Sequence, residues 1–169
     1  MIKVASLPIV PAPAVAEIGI GKFTLRPTTS IRLLGATGGL GQRIRELFGP
    51  ATGFNLRESD VAKSDQISVE VAARNDIPSE GYRMRVAPTG VAIQASSQAG
   101  AFYAIQSLRQ LLPTAIFAKN RVSGQGWTAQ ACSIEDFPRY SWRGLHLDVS
   151  RHFYPVGFVK EYIDWLAAH

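Results

Sequence analysis

The sequence predicts an α+β fold, a mainly antiparallel sheet with helices packed on one face, followed by a single strand-and-helix unit. Three observations predict it. Tyr82–Val86 and Val91–Ala95 flank Ala87-Pro88-Thr89-Gly90, the pattern of two strands joined by a tight turn. Ser97–Leu112 carries Phe102, Ile105, Leu108 and Leu112 at spacings of three and four before Pro113, the pattern of an amphipathic helix with a stop. Gly144–Val149 then reads as a short buried strand, and Tyr154-Pro155 leads into a helix with Val156, Val159, Ile163 and Leu166 at helical spacing.

The other elements follow in chain order. The first 20 residues, rich in proline, valine and alanine, read as an extended lead-in. Lys22–Arg26 and Ser30–Leu34 read as short strands around Pro27-Thr28-Thr29. Gln42–Phe48 has a short helical pattern through Ile44, Leu47 and Phe48, and Gly49-Pro50 is expected to end it. Gln66–Ala73 alternates, with Ile67, Val69 and Val71 on one face and Ser68 and Glu70 on the other, as a half-buried strand does. Residues 113–126 form a loop with an apolar strand expected at Thr114–Ala118, and Trp127–Ile134 reads as the next strand. The last helix runs into Ala167-Ala168-His169 without a stop signal. One strand followed by one helix cannot bury both faces of its strand, so the C-terminal unit reads as the start of something larger.

Composition narrows the function classes. A hydrophobic content of 46% with 18% charged residues describes a globular protein of 169 residues. The net charge of +5 is spread over scattered arginines with no basic run, which argues against nucleic acid as a partner. Arg83 and Arg85 share the face of their strand opposite Tyr82, Met84 and Val86 and are expected to face solvent. Cys132 is the sole cysteine, expected to be buried in its strand, so neither an intrachain disulfide nor a thiolate metal site can be built. No segment approaches the roughly 20 apolar residues of a membrane span, and no basic stretch followed by a long apolar core marks a leader.

Ile31–Ile44 contains Gly35, Gly38 and Gly41 between a strand and a helix, as in dinucleotide-binding proteins, where glycines let the backbone approach a pyrophosphate. The acidic residue that should close the following strand is missing: Asp60 is not preceded by an apolar strand. A plain glycine-rich connection explains the pattern better, and no cofactor is expected. Glu135-Asp136 is the one adjacent acidic pair. It reads as a polar linker, because neighbours on an extended chain point opposite ways. His146, expected in a crowded strand interior, has no spaced partners for a metal site, and none is expected.

The segment Trp142-Arg143-Gly144-Leu145-His146-Leu147-Asp148-Val149-Ser150-Arg151-His152-Phe153 resembles the opening of the catalytic barrel in glycoside hydrolase family 20, the β-N-acetylhexosaminidases. Ile9–Pro13, Ser79–Val86, Gly90–Ala95 and Gly100–Leu112 resemble the small α+β domain that precedes that barrel, and Ile134–Tyr140 the passage into it. Residues 36–66 are the least similar. The resemblance implies residues 1–136 as an α+β accessory domain and 137–169 as the first strand and helix of a truncated (β/α)8 barrel. It further implies a parent enzyme that hydrolyses terminal N-acetylglucosamine or N-acetylgalactosamine from glycans or chitin oligomers with retention. In that family the substrate's own 2-acetamido oxygen attacks the anomeric carbon, an aspartate orients that group, and the adjacent glutamate is the general acid. That Asp-Glu pair is not among these residues, so the chain by itself is expected to be inactive.

Arg143 aligns with the family's substrate arginine, whose planar fork can hold two neighbouring sugar hydroxyls. It begins its strand, whereas barrel sites lie at the C-terminal ends of strands, so only its length makes the role workable. An ion pair with a carboxylate such as Asp148 is the structural alternative. Asp148, Arg151 and His152 match the same motif and are expected to hold the strand end and first loop. The implied partners are an N-acetylhexosamine glycan, through the full-length enzyme, and the remainder of the barrel. The implied location is periplasmic or secreted. Two other readings stay open: a stand-alone carbohydrate-binding or interaction module, and a dinucleotide-binding domain through Gly35–Gly41.

Overall fold

The structure, a computed structural model, describes residues 7–168. The C-terminal His169, where the last helix was expected to run out, and the first six residues of the lead-in lie outside the described residues. The chain divides into two compact units between Phe137 and Pro138.

The first unit contains β1 (Val15–Thr24), β2 (Ser30–Gly35), α1 (Leu40–Thr52), β3 (Gln66–Val71), β4 (Tyr82–Ala87), β5 (Gly90–Ala95), α2 (Gln98–Leu111), a 3-10 turn (Thr114–Phe117) and β6 (Thr128–Asp136). The strands form one sheet in the order β1-β6-β4-β5-β3-β2. β1 with β6, β4 with β6, and β4 with β5 are antiparallel, whereas β2 with β3 and β3 with β5 are parallel. The parallel pair β2–β3 follows from α1, which carries the chain back across the sheet between them.

Alternation along the strands decides which side faces the core. Ile67, Val69 and Val71 of β3, Tyr82, Met84 and Val86 of β4, and Val91, Ile93 and Ala95 of β5 all point inward and are buried. They join Ile44, Phe48 and Ala51 of α1 and Ala101, Ala104, Ile105 and Leu108 of α2 in a single core. Tyr82 is admitted because its hydroxyl meets the Ser107 hydroxyl at 2.7 Å. Burial raises the Tyr82 phenol above its ordinary pKa.

Several sequence expectations are corrected. β1 begins at Val15, inside the expected lead-in, because it pairs with β6 over most of its length. Between Ile18 and Lys22 four residue steps of β1 face only two of β6, from Cys132 to Gln130. The Gln130 side-chain amide donates to the bulge carbonyls of Gly19 and Gly21 at 2.8 and 3.0 Å, supplying partners that the interrupted ladder cannot.

Helix α1 runs through Gly49-Pro50 to Thr52. Pro50 removes one hydrogen bond within the last turn. The end is closed instead by the Thr52 hydroxyl donating to the Phe48 carbonyl at 2.7 Å and by Gly53, left-handed at φ 72°, donating to the Gly49 carbonyl at 2.8 Å. Thr114–Phe117, expected as a strand, is a 3-10 turn that buries Ile116 against the core. Helix α2 starts as expected: the Ser97 hydroxyl accepts from the Gly100 amide at 3.2 Å.

Among the described residues the second unit contains one element, α3 (Val156–Ala168). Gly144–Val149 is not the expected strand, nor is it buried. A strand exists by pairing, and among the described residues of this unit no second extended segment offers it a ladder. The Val159 amide donates to the Pro155 carbonyl at 3.2 Å, so Pro155 precedes the helix as its cap. Val156, Ile163 and Trp165 stay exposed.

Candidate sugar-contact segment and its supports

The segment with the sequence-predicted site residues lies between Pro138 and α3. Asp148 organises its turn. One carboxylate oxygen accepts from the backbone amides of Ser150 and Arg151 at 3.0 and 3.1 Å, while the other meets Arg151 Nε at 2.5 Å. The Arg151 and Ser150 amides, aided by the Arg151 guanidinium, hold the Asp148 carboxyl below its ordinary pKa. The ionised form is therefore the one that closes the turn.

Arg143 donates through Nη1 to the Tyr140 carbonyl. The charged partner of Asp148 is Arg151. The structure thus brings Asp148 and Arg151 together and places His152 in a different environment. The His152 ring meets Tyr154 edge-on at 4.7 Å; Tyr154 stacks on Phe158 at 4.7 Å, and Phe158 stacks on Tyr162 at 6.2 Å. Tyr154, Phe158 and Tyr162 recur at intervals of four, so one face of α3, extended by the residue before its cap, carries the stack. The Tyr162 hydroxyl donates to the His146 carbonyl at 3.2 Å, tying α3 to the segment. His146 is exposed, which corrects its expected core placement. Tyr154 was legible as part of the turn into the last helix, but its role, with Tyr162, as a support of His152 and His146 was not.

In the first unit, packing accounts for the glycine-rich turn. Gly35 has φ 77°, and a Cβ there would lie 2.1 Å from the Val71 carbonyl oxygen on β3. A Cβ at Gly41 would lie 2.2 Å from a Glu58 carboxylate oxygen, itself 2.9 Å from Arg45. That carboxylate places negative charge beside the first turn of α1, the place a pyrophosphate would need.

Glu135-Asp136 is not a linker but the end of β6. Glu135 accepts from Arg83 Nε at 3.0 Å, and Asp136 accepts from the Ala14 amide at 3.0 Å. Arg83, expected simply to face solvent, bridges Glu135 and Asp76, the latter at 2.5 Å. The guanidinium lowers the Asp76 pKa.

Cys132 is buried on β6, and burial pushes its thiol up to about 11. A thiol reagent at pH 8 is therefore expected to leave Cys132 unmodified in the folded chain and to modify it fully in denaturant. Stoichiometric labelling of the native protein within minutes would contradict this placement. Among the described residues no group of three or more histidine, cysteine, aspartate or glutamate side chains is placed to hold a metal ion. No helix of the described residues is long and apolar enough to cross a membrane.

Comparison with known proteins agrees with this layout. Residues 6–137 match the model for domain 2 of glycosyl hydrolase family 20, and residues 140–169 match that family's catalytic domain. A β-hexosaminidase of Porphyromonas gingivalis is 42% identical over 88 residues, which are 52% of this chain and 11% of that protein. The solved GH20 β-N-acetylhexosaminidase of Streptomyces coelicolor A3(2) superposes with a TM-score of 0.85 at 37% identity, over 96% of this chain and 32% of that one. A mutant Streptomyces plicatus β-hexosaminidase in complex with its product GlcNAc also reaches a TM-score of 0.85 at 37% identity, over 95% and 32%. The chain thus spans about a tenth of the first relative and about a third of each solved enzyme. With residues 6–137 matching domain 2 of the family and residues 140–169 matching its catalytic domain, the chain belongs to glycosyl hydrolase family 20.

Proposed function

We propose that these 169 residues are the N-terminal part of a β-N-acetylhexosaminidase that removes terminal N-acetylglucosamine or N-acetylgalactosamine by a substrate-assisted, retaining mechanism. The observation that carries the reading is the junction: one family supplies both the domain up to residue 137 and the segment from residue 140. The S. plicatus relative with GlcNAc bound supports an N-acetylhexosamine as the sugar class.

In this reading Arg143 holds two neighbouring hydroxyls of the terminal sugar, fixing the ring while its acetamido oxygen attacks the anomeric carbon. Asp148 and Arg151 fix the turn that follows, and His152 is held against Tyr154. None of these groups transfers a proton. The acetamido-orienting aspartate and the acid glutamate belong to the remainder of the barrel, the chain's principal partner. The parent enzyme is proposed to work outside the cytoplasm, in the periplasm or secreted, where such glycans are met.

The test is Arg143→Ala in the enzyme that carries the whole barrel. Hydrogen bonds from a charged donor contribute about 1.5–3 kcal/mol each, so losing two should lower kcat/KM by at least about 100-fold. Arg143→Lys, which keeps the charge but not the fork, should recover only part of it. A kcat/KM within about twofold of the parent for both variants would remove Arg143 from the sugar site.

A further inference from the structure

We draw no further inference here: the strongest candidate, the open cleft between the N-termini of α1 and α2 lined by Thr37, Gly38, Gly39, Arg43, Gln98 and Phe102, carries nothing because it rests on helix N-termini with no second observation pointing to a ligand, its Arg43 being already paired with Glu46.

Discussion

Replacing Phe48 by alanine is expected to destabilise the first unit by about 3–5 kcal/mol. Phe48 lies on the inner face of α1 with 0% of its surface exposed. The loss has two parts, the transfer energy of the ring and the hole left where neighbours relax only partly. The same residue also serves the helix end, since its carbonyl receives the Thr52 hydroxyl, but that bond is to the backbone and survives the change. Phe48→Leu should therefore cost much less than alanine. A domain of this size is stable by roughly 5–15 kcal/mol, so the alanine variant should remain folded in buffer while its urea midpoint falls sharply. A shift below about 1 kcal/mol would mean that α1 does not seat on the sheet through Phe48.

Gly100→Val is expected to destabilise as well, by about 1–3 kcal/mol net. Gly100 is in the first turn of α2, where propensity alone gives the opposite sign: non-glycine residues are generally better helix formers. Packing decides the outcome. A Cβ at this position would lie 2.4 Å from the Gly81 carbonyl oxygen and 2.9 Å from that of Glu80. Both are backbone atoms of the chain entering β4, so neither can rotate away. The Gly100 amide is also the donor to the Ser97 cap, and shifting the turn would loosen that bond. Equilibrium unfolding of Gly100→Ala and Gly100→Val should show a graded loss. A gain in stability for both would show that α2 stands farther from the Glu80-Gly81 backbone.

How much of this was written in the sequence depends on how local each cause is. The β4–β5 hairpin, α2 and α3 were legible because their periodicity and their Pro-Thr, Ser and Pro punctuation lie within the elements themselves. The early start of β1 was not, since Val15–Ile18 owes its extended form to β6 more than a hundred residues away. Nor was the run of α1 through Gly49-Pro50, which depends on Thr52 and Gly53 closing the helix beyond the proline. The hairpin signal could not reveal the parallel pairings of β3, with β2 through the α1 crossover and with β5 because β4 lies on the far side of β5. Arg83 alternates like a solvent-facing residue, and only folding brings Asp76 and Glu135 to it.

The candidate site divides in the same way. The Asp148–Arg151 turn is confined to four residues, so an aspartate followed by serine and arginine already contained it. The aromatic stack was not legible there, because it joins Tyr154 of the preceding turn to Phe158 and Tyr162 on α3. Gly144–Val149 has the composition of a buried strand yet lacks the neighbours that would make it one, because sequence pattern specifies a preference and pairing realises it. Arg143 owes its proposed role to family membership; in the structure its Nη1 donates to the Tyr140 carbonyl three residues back.

On the proposed function, Arg143 and the Asp148–Arg151 turn hold the sugar while the reacting carboxylates belong to the rest of the barrel. This chain's only adjacent acidic pair, Glu135-Asp136, is tied into the sheet by Arg83 and Ala14. The direct measurement is release of chromophore from a chromogenic N-acetyl-β-glucosaminide by the purified 169-residue chain. A rate indistinguishable from buffer is expected at every concentration of chain. Turnover that scales with the amount of chain would contradict it.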